Sequence, residues 1–258
     1  MKTVDKYAYR SPLRHFQPTQ KVLLGLMLLF TCLIGNSLLL SFIILTLMGY
    51  LTLYKGCVPF KFYSFLMAVP FTFLILSLLP LLLDFSTEAD FFIWSIHIVH
   101  GYVGISDISI KLCLSLFFKA FASVSCLYFI CLTTPMNDIL RVFEKWHCPV
   151  LILEMMMLIY RFIFILIDTA FTMYEAQTSR LGYLNFRLGI HSFGILLSSL
   201  FVRTLKMNNA LYTALECRGY TGSLTVLHED NYKTFPYTYI IAIEGFLIGI
   251  LILENILL

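Results

Sequence analysis

Apolar residues recur along this chain in runs of about twenty, separated by short polar stretches, and the runs are too continuous for the amphipathic helices of a water-soluble domain. A spanning helix needs about 20 predominantly apolar residues. The segments 60–83, 109–132 and 237–257 meet that length directly. The apolar region 22–54 is too long for one span, and Gly35-Asn36-Ser37 divides it into a short piece and a longer one. The pattern predicts an all-α, polytopic membrane protein with about five transmembrane helices and further long helices over 133–236. The expected organisation is an N-terminal segment (1–21), a transmembrane part (22–132), a helical region (133–236) and a final transmembrane helix (237–258).

Composition agrees. Hydrophobic residues make up 59% of the 258 positions and charged residues only 13%, outside the range of soluble domains. The opening MKTVDKYAYRSPLRHFQPTQK lacks the apolar core and small-residue cleavage site of a signal peptide, so it is expected to stay on the mature chain. A net charge of +3 gives no reason to expect a nucleic-acid partner. The seven cysteines contain no CxxC pair and mostly sit in apolar runs, where a thiol behaves as a small hydrophobe.

Charge distribution sets an orientation. Residues 1–21 carry Lys2, Lys6, Arg10, Arg14 and Lys21, and Lys55 and Lys61 flank the next short connection. The loop 84–108 has Asp84, Glu88, Asp90 and Asp107 but no Lys or Arg. By the positive-inside rule the N-terminus and the region 133–236 are expected in the cytoplasm and the acidic loop outside.

That inner region carries nine Lys or Arg residues yet is too apolar for an ordinary loop. After Pro149, well placed for a first helical turn, the run LILEMMMLIYRFIFILIDTAFTMYEAQTS predicts one helix of about 30 residues. Its charges Glu154, Arg161, Asp168 and Glu175 fall seven apart, nearly two turns, and form a slowly drifting polar stripe. Such a stripe suits a seam between packed helices or a water-lined face. Two additional spans, 150–172 and 188–205, are the alternative, and they leave the sidedness of both flanks unchanged.

Two short stretches within it resemble each other. EAQTSRLGY (175–183) and TALECRGY (213–220) both place an alanine four residues before an arginine, then a glycine, then a tyrosine. Ala176 and Arg180 correspond to Ala214 and Arg218, and the spacing puts each pair on one helical face. Gly182 and Gly219 are the expected left-handed helix stops. A guanidinium at such an end offers a rigid fork of donors for a carboxylate, and the alanine one turn earlier leaves room for a crossing helix. One such motif is a common helix end. Two copies 38 positions apart suggest two equivalent docking points for a partner with two equivalent subunits.

The segment from TTPMNDILRVFEKWHCPV through the first motif to TALECRGYTG resembles the transmembrane T component of energy-coupling factor (ECF) transporters. The opening VDKYAYRSPLRHFQPTQK, with Asp5, Ser11, Leu13, Arg14, Pro18 and Lys21, is similar to the cobalt-transport CbiQ-type subgroup. Two departures stand out: Ser179 and Cys217 occupy the place of the signature alanine before each arginine, and Leu181 separates Arg180 from Gly182. The resemblance implies cytoplasmic-side coupling helices docking on two copies of an ABC-type ATPase, with Ala176, Arg180, Gly182, Ala214, Arg218 and Gly219 at the contacts. It further implies a separate substrate-binding membrane subunit that carries the cobalt ion, with or without a small accessory membrane subunit. The chain itself would be non-catalytic, without a cofactor, ATP being bound by the ATPases. Its place would be the cytoplasmic membrane of a bacterium or archaeon. A T component for nickel or a vitamin shares these features.

Other residues invite chemistry. His97 and His100 form HxxH near the acidic residues of the outer loop, and on a helix they would share one side as weak metal candidates. In the resemblance, metal recognition belongs to the substrate-binding subunit. Lys119, Glu244 and Glu254 lie within expected spans, where an ionisable group is a functional candidate by default. Met155, Met156 and Met157 point three ways around a helix and form no ligand set. A membrane-embedded enzyme would need an HExxH or clustered aspartates, and a stand-alone transporter would need repeated spans around a midplane site. The sequence has neither, and no P-loop.

Overall fold

The structure is a computed structural model. It describes residues 2–35, 37–82, 84–86, 94–98, 101–105, 107–220, 232 and 242–251. Helices dominate: α1 (Lys2–Arg10), α2 (Pro18–Ile34), α3 (Leu38–Tyr50), α4 (Phe60–Leu82), α5 (Asp107–Thr133), α6 (Met136–Lys145), α7 (Val150–Ser179), α8 (Phe186–Cys217) and α9 (Ala242–Leu251). Three short strands, β1 (Asp84–Ser86), β2 (Trp94–Ile98) and β3 (Gly101–Ile105), form an antiparallel sheet in the order β1-β3-β2 within the acidic loop.

Two compact units make up the chain: Met1–Val142 with Glu229–Leu258, and Phe143–His228. In the first, α5 is the central helix, packing against α1, α2, α3 and α4. Leu28 and Cys32 of α2, Leu40, Ile44 and Met48 of α3, Ala122 and Cys126 of α5, and Leu247 of α9 are sealed in one core. Edge-to-face rings extend it, with Phe71 of α4 and Phe42 of α3 set against Phe117 and Phe118 of α5. Outside that core α4 exposes Phe60, Phe65, Val69, Phe73, Leu76 and Leu79, a surface suited to lipid rather than water. All seven cysteines are free.

The polar opening of the chain is tied into this unit. Ser11 Oγ accepts from Leu13 N at 3.3 Å, capping the 3-10 turn Pro12–His15. Buried Lys21 then donates from Nζ to the carbonyls of Leu13 (2.9 Å) and Thr133 (3.2 Å), fastening that turn to the end of α5. Tyr232 donates to Asp138 Oδ1 at 3.1 Å and accepts from Arg141, and these bonds tie it to α6. Burial, chiefly, and then the Asp138 carboxylate push the Tyr232 phenol above its usual pKa.

Among the described residues five helices are long and apolar enough to cross a membrane: Leu38–Lys55, Phe60–Leu82, Ser109–Thr133, Val150–Ser179 and Phe186–Cys217. The number equals the sequence expectation, and two of the five answer to the alternative spans 150–172 and 188–205. α7 and α8 qualify, whereas α2 has only 17 residues and the described part of the last helix is Ala242–Leu251. Window hydropathy weighs composition and length alone, and α7 and α8 spread their few charges over 30 and 32 residues.

Candidate functional site

The second unit contains both arginine motifs, and each arginine occupies the C-cap of a long helix: Arg180 closes α7 and Arg218 closes α8. The two ends share one hydrogen-bonding pattern. Leu181 N bonds to Thr178 O (2.9 Å) and Gly182 N to Gln177 O (2.9 Å); Gly219 N bonds to Glu216 O and Tyr220 N to Leu215 O, both at 3.0 Å. In each case the residue directly after the arginine turns left-handed, and the next amide reaches back five residues to satisfy an orphan carbonyl. Both arginines are exposed, as are Ala176 and Ala214 one turn earlier and Ser179 and Cys217 beside them.

The left-handed residues correct the expected alignment. At the second motif it is Gly219, with φ 77, as expected; at the first it is Leu181, with φ 61, and not Gly182. Gly182 is small for another reason. A Cβ there would stand 2.9 Å from Ser192 Oγ and 3.0 Å from the Gln177 carbonyl, closer than packed atoms tolerate.

Those neighbours belong to the elbow joining α7 to α8. Gln177 donates from Nε2 to the Ser192 carbonyl (3.0 Å) and accepts at Oε1 from Tyr183 OH (2.8 Å), while Ser192 Oγ donates to the Gly182 carbonyl (2.8 Å). At the other end of the pair Tyr220 OH donates to Glu154 Oε2 at 3.2 Å, joining the end of α8 to the start of α7. Burial, first, and the Glu154 carboxylate raise the Tyr220 phenol pKa above its ordinary value. With 32 residues at a rise of 1.5 Å, α8 is roughly 48 Å long, with the elbow that carries Arg180 at its start and Arg218 at its end. Glu154 is the buried member of the charged stripe; Arg161, Asp168 and Glu175 stand at exposed positions.

The family model described as CbiQ, cobalt transport protein, matches residues 9–227, which include both arginine caps, the elbow and the Lys21 staple. This chain belongs to the CbiQ family. An uncharacterised protein of Methanocaldococcus jannaschii is 33% identical over 240 residues, covering 93% of this chain and 88% of that protein. The cobalt transport protein CbiQ of Salmonella typhimurium is 25% identical over 228 residues, 86% of this chain and 98% of its own length. A protein of Methanocorpusculum labreanum named as a fused cobalt transport protein, CbiMQ, is 29% identical over 234 residues, 90% of this chain and 38% of that protein. Our CbiQ-family chain is a multi-pass membrane component of a cobalt transport system.

Several residues of this CbiQ-family unit escaped sequence reading. Gln177, Tyr183, Ser192 and Tyr220 organise the ends of α7 and α8, and the tyrosine shared by both motifs was the available signal. His97 lies in β2, paired in register with Tyr102, so the helical spacing invoked for His97 and His100 does not apply. His100, Glu88, Asp90 and Glu254 lie outside the described residues. Lys119 is half-buried in α5, where its carbonyl accepts from Ser123 Oγ (2.8 Å), and Glu244 is buried in α9.

Proposed function

We propose that this chain is the coupling (T) component of an ECF-type importer for cobalt, transmitting the closure of two ABC-type ATPase subunits to a separate substrate-binding membrane subunit. The observation that carries the reading is the pair of exposed arginine C-caps, built by the same hydrogen bonds at the ends of two long helices. Each guanidinium is held at a fixed terminus, where the helix dipole favours a cation, and presents a planar fork to a carboxylate on an ATPase. Their placement at opposite ends of α8, a helix roughly 48 Å long, suits two copies of one partner rather than one contact made twice. Gly219 and Gly182 shape the two ends, and Ala176 and Ala214 leave the preceding turn low enough for close approach.

In this mechanism ATP is bound and hydrolysed by the ATPases, and cobalt is cargo carried by the substrate-binding subunit. The α7–α8 pair acts as a lever. Its elbow is braced by Gln177 and Ser192 and its far end by Glu154 and Tyr220, so a displacement of either arginine is passed along the helices. Arg161 and Glu175 of the charged stripe stand exposed, where a neighbouring subunit would meet them. The positive-inside pattern supports a cytoplasmic N-terminus and coupling region in the cytoplasmic membrane. The fused relative, in which a CbiQ-like region shares one chain with a further cobalt-transport part, supports a membrane partner at close quarters.

The test is co-expression with the ATPase and substrate-binding subunits, purification in mild detergent, and cobalt uptake. Arg180→Ala and Arg218→Ala each remove one partner of an interfacial charge pair, a loss of about 2 to 5 kcal/mol in association. Each variant is expected to insert normally and to lose ATPase copurification or uncouple hydrolysis from uptake. Normal uptake with normal ATPase recovery in both sinks the reading. Nickel uptake without cobalt uptake leaves the coupling role standing and changes the cargo.

A further inference from the structure

The two arginine caps are equivalent in hydrogen bonding and unequal in the residue that makes the left-handed turn. Gly219 adopts φ 77 in open space, where no side chain is present to object. Leu181 adopts φ 61 with a branched side chain that is 61% exposed. For an L-residue other than glycine that backbone region is sterically disfavoured, and a strained residue persists only where its surroundings determine it. The end of α6 closes the same way through His147 at φ 59, but histidine enters this region more readily than leucine.

Strain alone names no role, and the side chain supplies the second observation. Leu181 stands beside exposed Arg180 and is followed by Leu184 at 66% and Phe186 at 87% exposure, an apolar cluster in a connecting elbow where polar residues are the rule. The corresponding position after Arg218 is bare, and the next residue, Tyr220, is turned to Glu154. Insertion of the elbow into lipid would be served equally by Leu184 and Phe186 on relaxed backbone and needs no leucine locked in a left-handed turn. A shaped apolar pocket on a protein does need a side chain fixed in direction.

We propose that Leu181 is a docking residue, an apolar knob that enters a pocket on the ATPase subunit engaged by Arg180, so that the two motifs grip their partners unequally. This rests on the coupling reading above. The elbow contact combines a charge pair with a buried leucine, whereas the Arg218 contact relies on the charge pair. The elbow is accordingly the tighter of the two attachments.

The experiment compares Leu181→Gly, Leu181→Asn and Leu181→Met in the co-expressed complex. Glycine and asparagine keep the left-handed turn and delete the apolar knob; methionine keeps apolar volume. Binding of the ATPase to the detergent-solubilised complex is expected to weaken roughly tenfold in the first two, as loss of a buried leucine predicts, and to stay within about threefold for methionine. Melting temperature of the chain alone is expected to hold or rise with glycine, because the strain is relieved.

Unchanged binding in Leu181→Gly and Leu181→Asn overturns the proposal, as does a loss of binding that falls in step with melting temperature. Leu181→Trp reconstituted with brominated lipids gives the remaining outcome: quenching beyond that of the parent chain places the elbow in the bilayer and also overturns it. Arg180→Ala and Arg218→Ala in the same assay separate the two levels. If they bind normally the coupling reading fails; if they lose binding while Leu181→Gly does not, the failure is confined to the knob.

Discussion

The two ends of the α7–α8 pair solve one problem in different ways. Both must finish a long apolar helix on an exposed arginine, and both do so with a left-handed residue and a five-residue return bond. The end at Arg218 uses glycine, and the Tyr220 phenol braces it on Glu154. The elbow at Arg180 uses leucine and surrounds it with a network centred on Gln177, Gly182 and Ser192. The networked elbow holds a strained leucine among the linked side chains of Gln177, Tyr183 and Ser192 and the Gly182 carbonyl, whereas the other end is joined to α7 through the Tyr220–Glu154 bond.

Gly182→Ala gives the sharpest contrast. The new methyl meets Ser192 Oγ at 2.9 Å and the Gln177 carbonyl at 3.0 Å, displacing the bond from Ser192 to the Gly182 carbonyl. Overpacking and the lost hydrogen bond together cost about 3 kcal/mol. Gly219→Ala meets nothing and pays only for its left-handed backbone, about 1 kcal/mol. At a few degrees per kcal/mol for a chain of this size, thermal unfolding in detergent resolves the two. Equal shifts would show that the elbow network holds nothing the free end lacks.

How much of this was legible in the sequence differs by residue. Both arginine caps, Gly219 and the one-helix reading of 150–179 followed from apolar continuity and Arg-Gly spacing, because those signals are local. The left-handed role of Leu181 was not legible. Glycine is the residue that sequence logic places in that conformation, while the need for a bare Cα at Gly182 comes from Ser192, ten positions on. In the outer loop, Trp94, Ile96 and Ile98 alternate with Ser95 and His97 in the period of a strand. The HxxH spacing drew attention to a helix instead. The long apolar helices were legible as a class, and the choice the sequence left open at 150–172 and 188–205 turns on length and hydropathy, which qualify α7 and α8 to span.

The next contrast removes the hub. Gln177→Ala deletes the bond to the Ser192 carbonyl and the acceptor of Tyr183 OH, a loss of about 2 kcal/mol at roughly 1 kcal/mol per bond. Amide exchange is expected to quicken around 177–192 while the Glu154 end is unaffected. Uniform quickening along both helices would mean that the two ends are not independently braced, and the comparison would lose its basis.

The smallest effect belongs to the free end and is read through pH. The Tyr220 phenol has a pKa raised above its ordinary value of 10.0 in the folded chain, so folding favours its protonated, donating form. Its bond to Glu154 is therefore intact at neutral pH, and its contribution to stability falls as pH rises through the unfolded value near 10. In Tyr220→Phe the melting temperature at neutral pH is expected to fall less than in either elbow variant. The part of the parent's decline between pH 9 and 11 that comes from this phenol should vanish with it. Tyr183 donates to the side-chain amide of Gln177, so Tyr183→Phe is expected to lower stability at neutral pH by about one hydrogen bond, roughly 1 kcal/mol. If Tyr220→Phe keeps the parent's full alkaline decline, the bond to Glu154 does not govern this phenol and the free end has no pH-sensitive brace to set against the elbow.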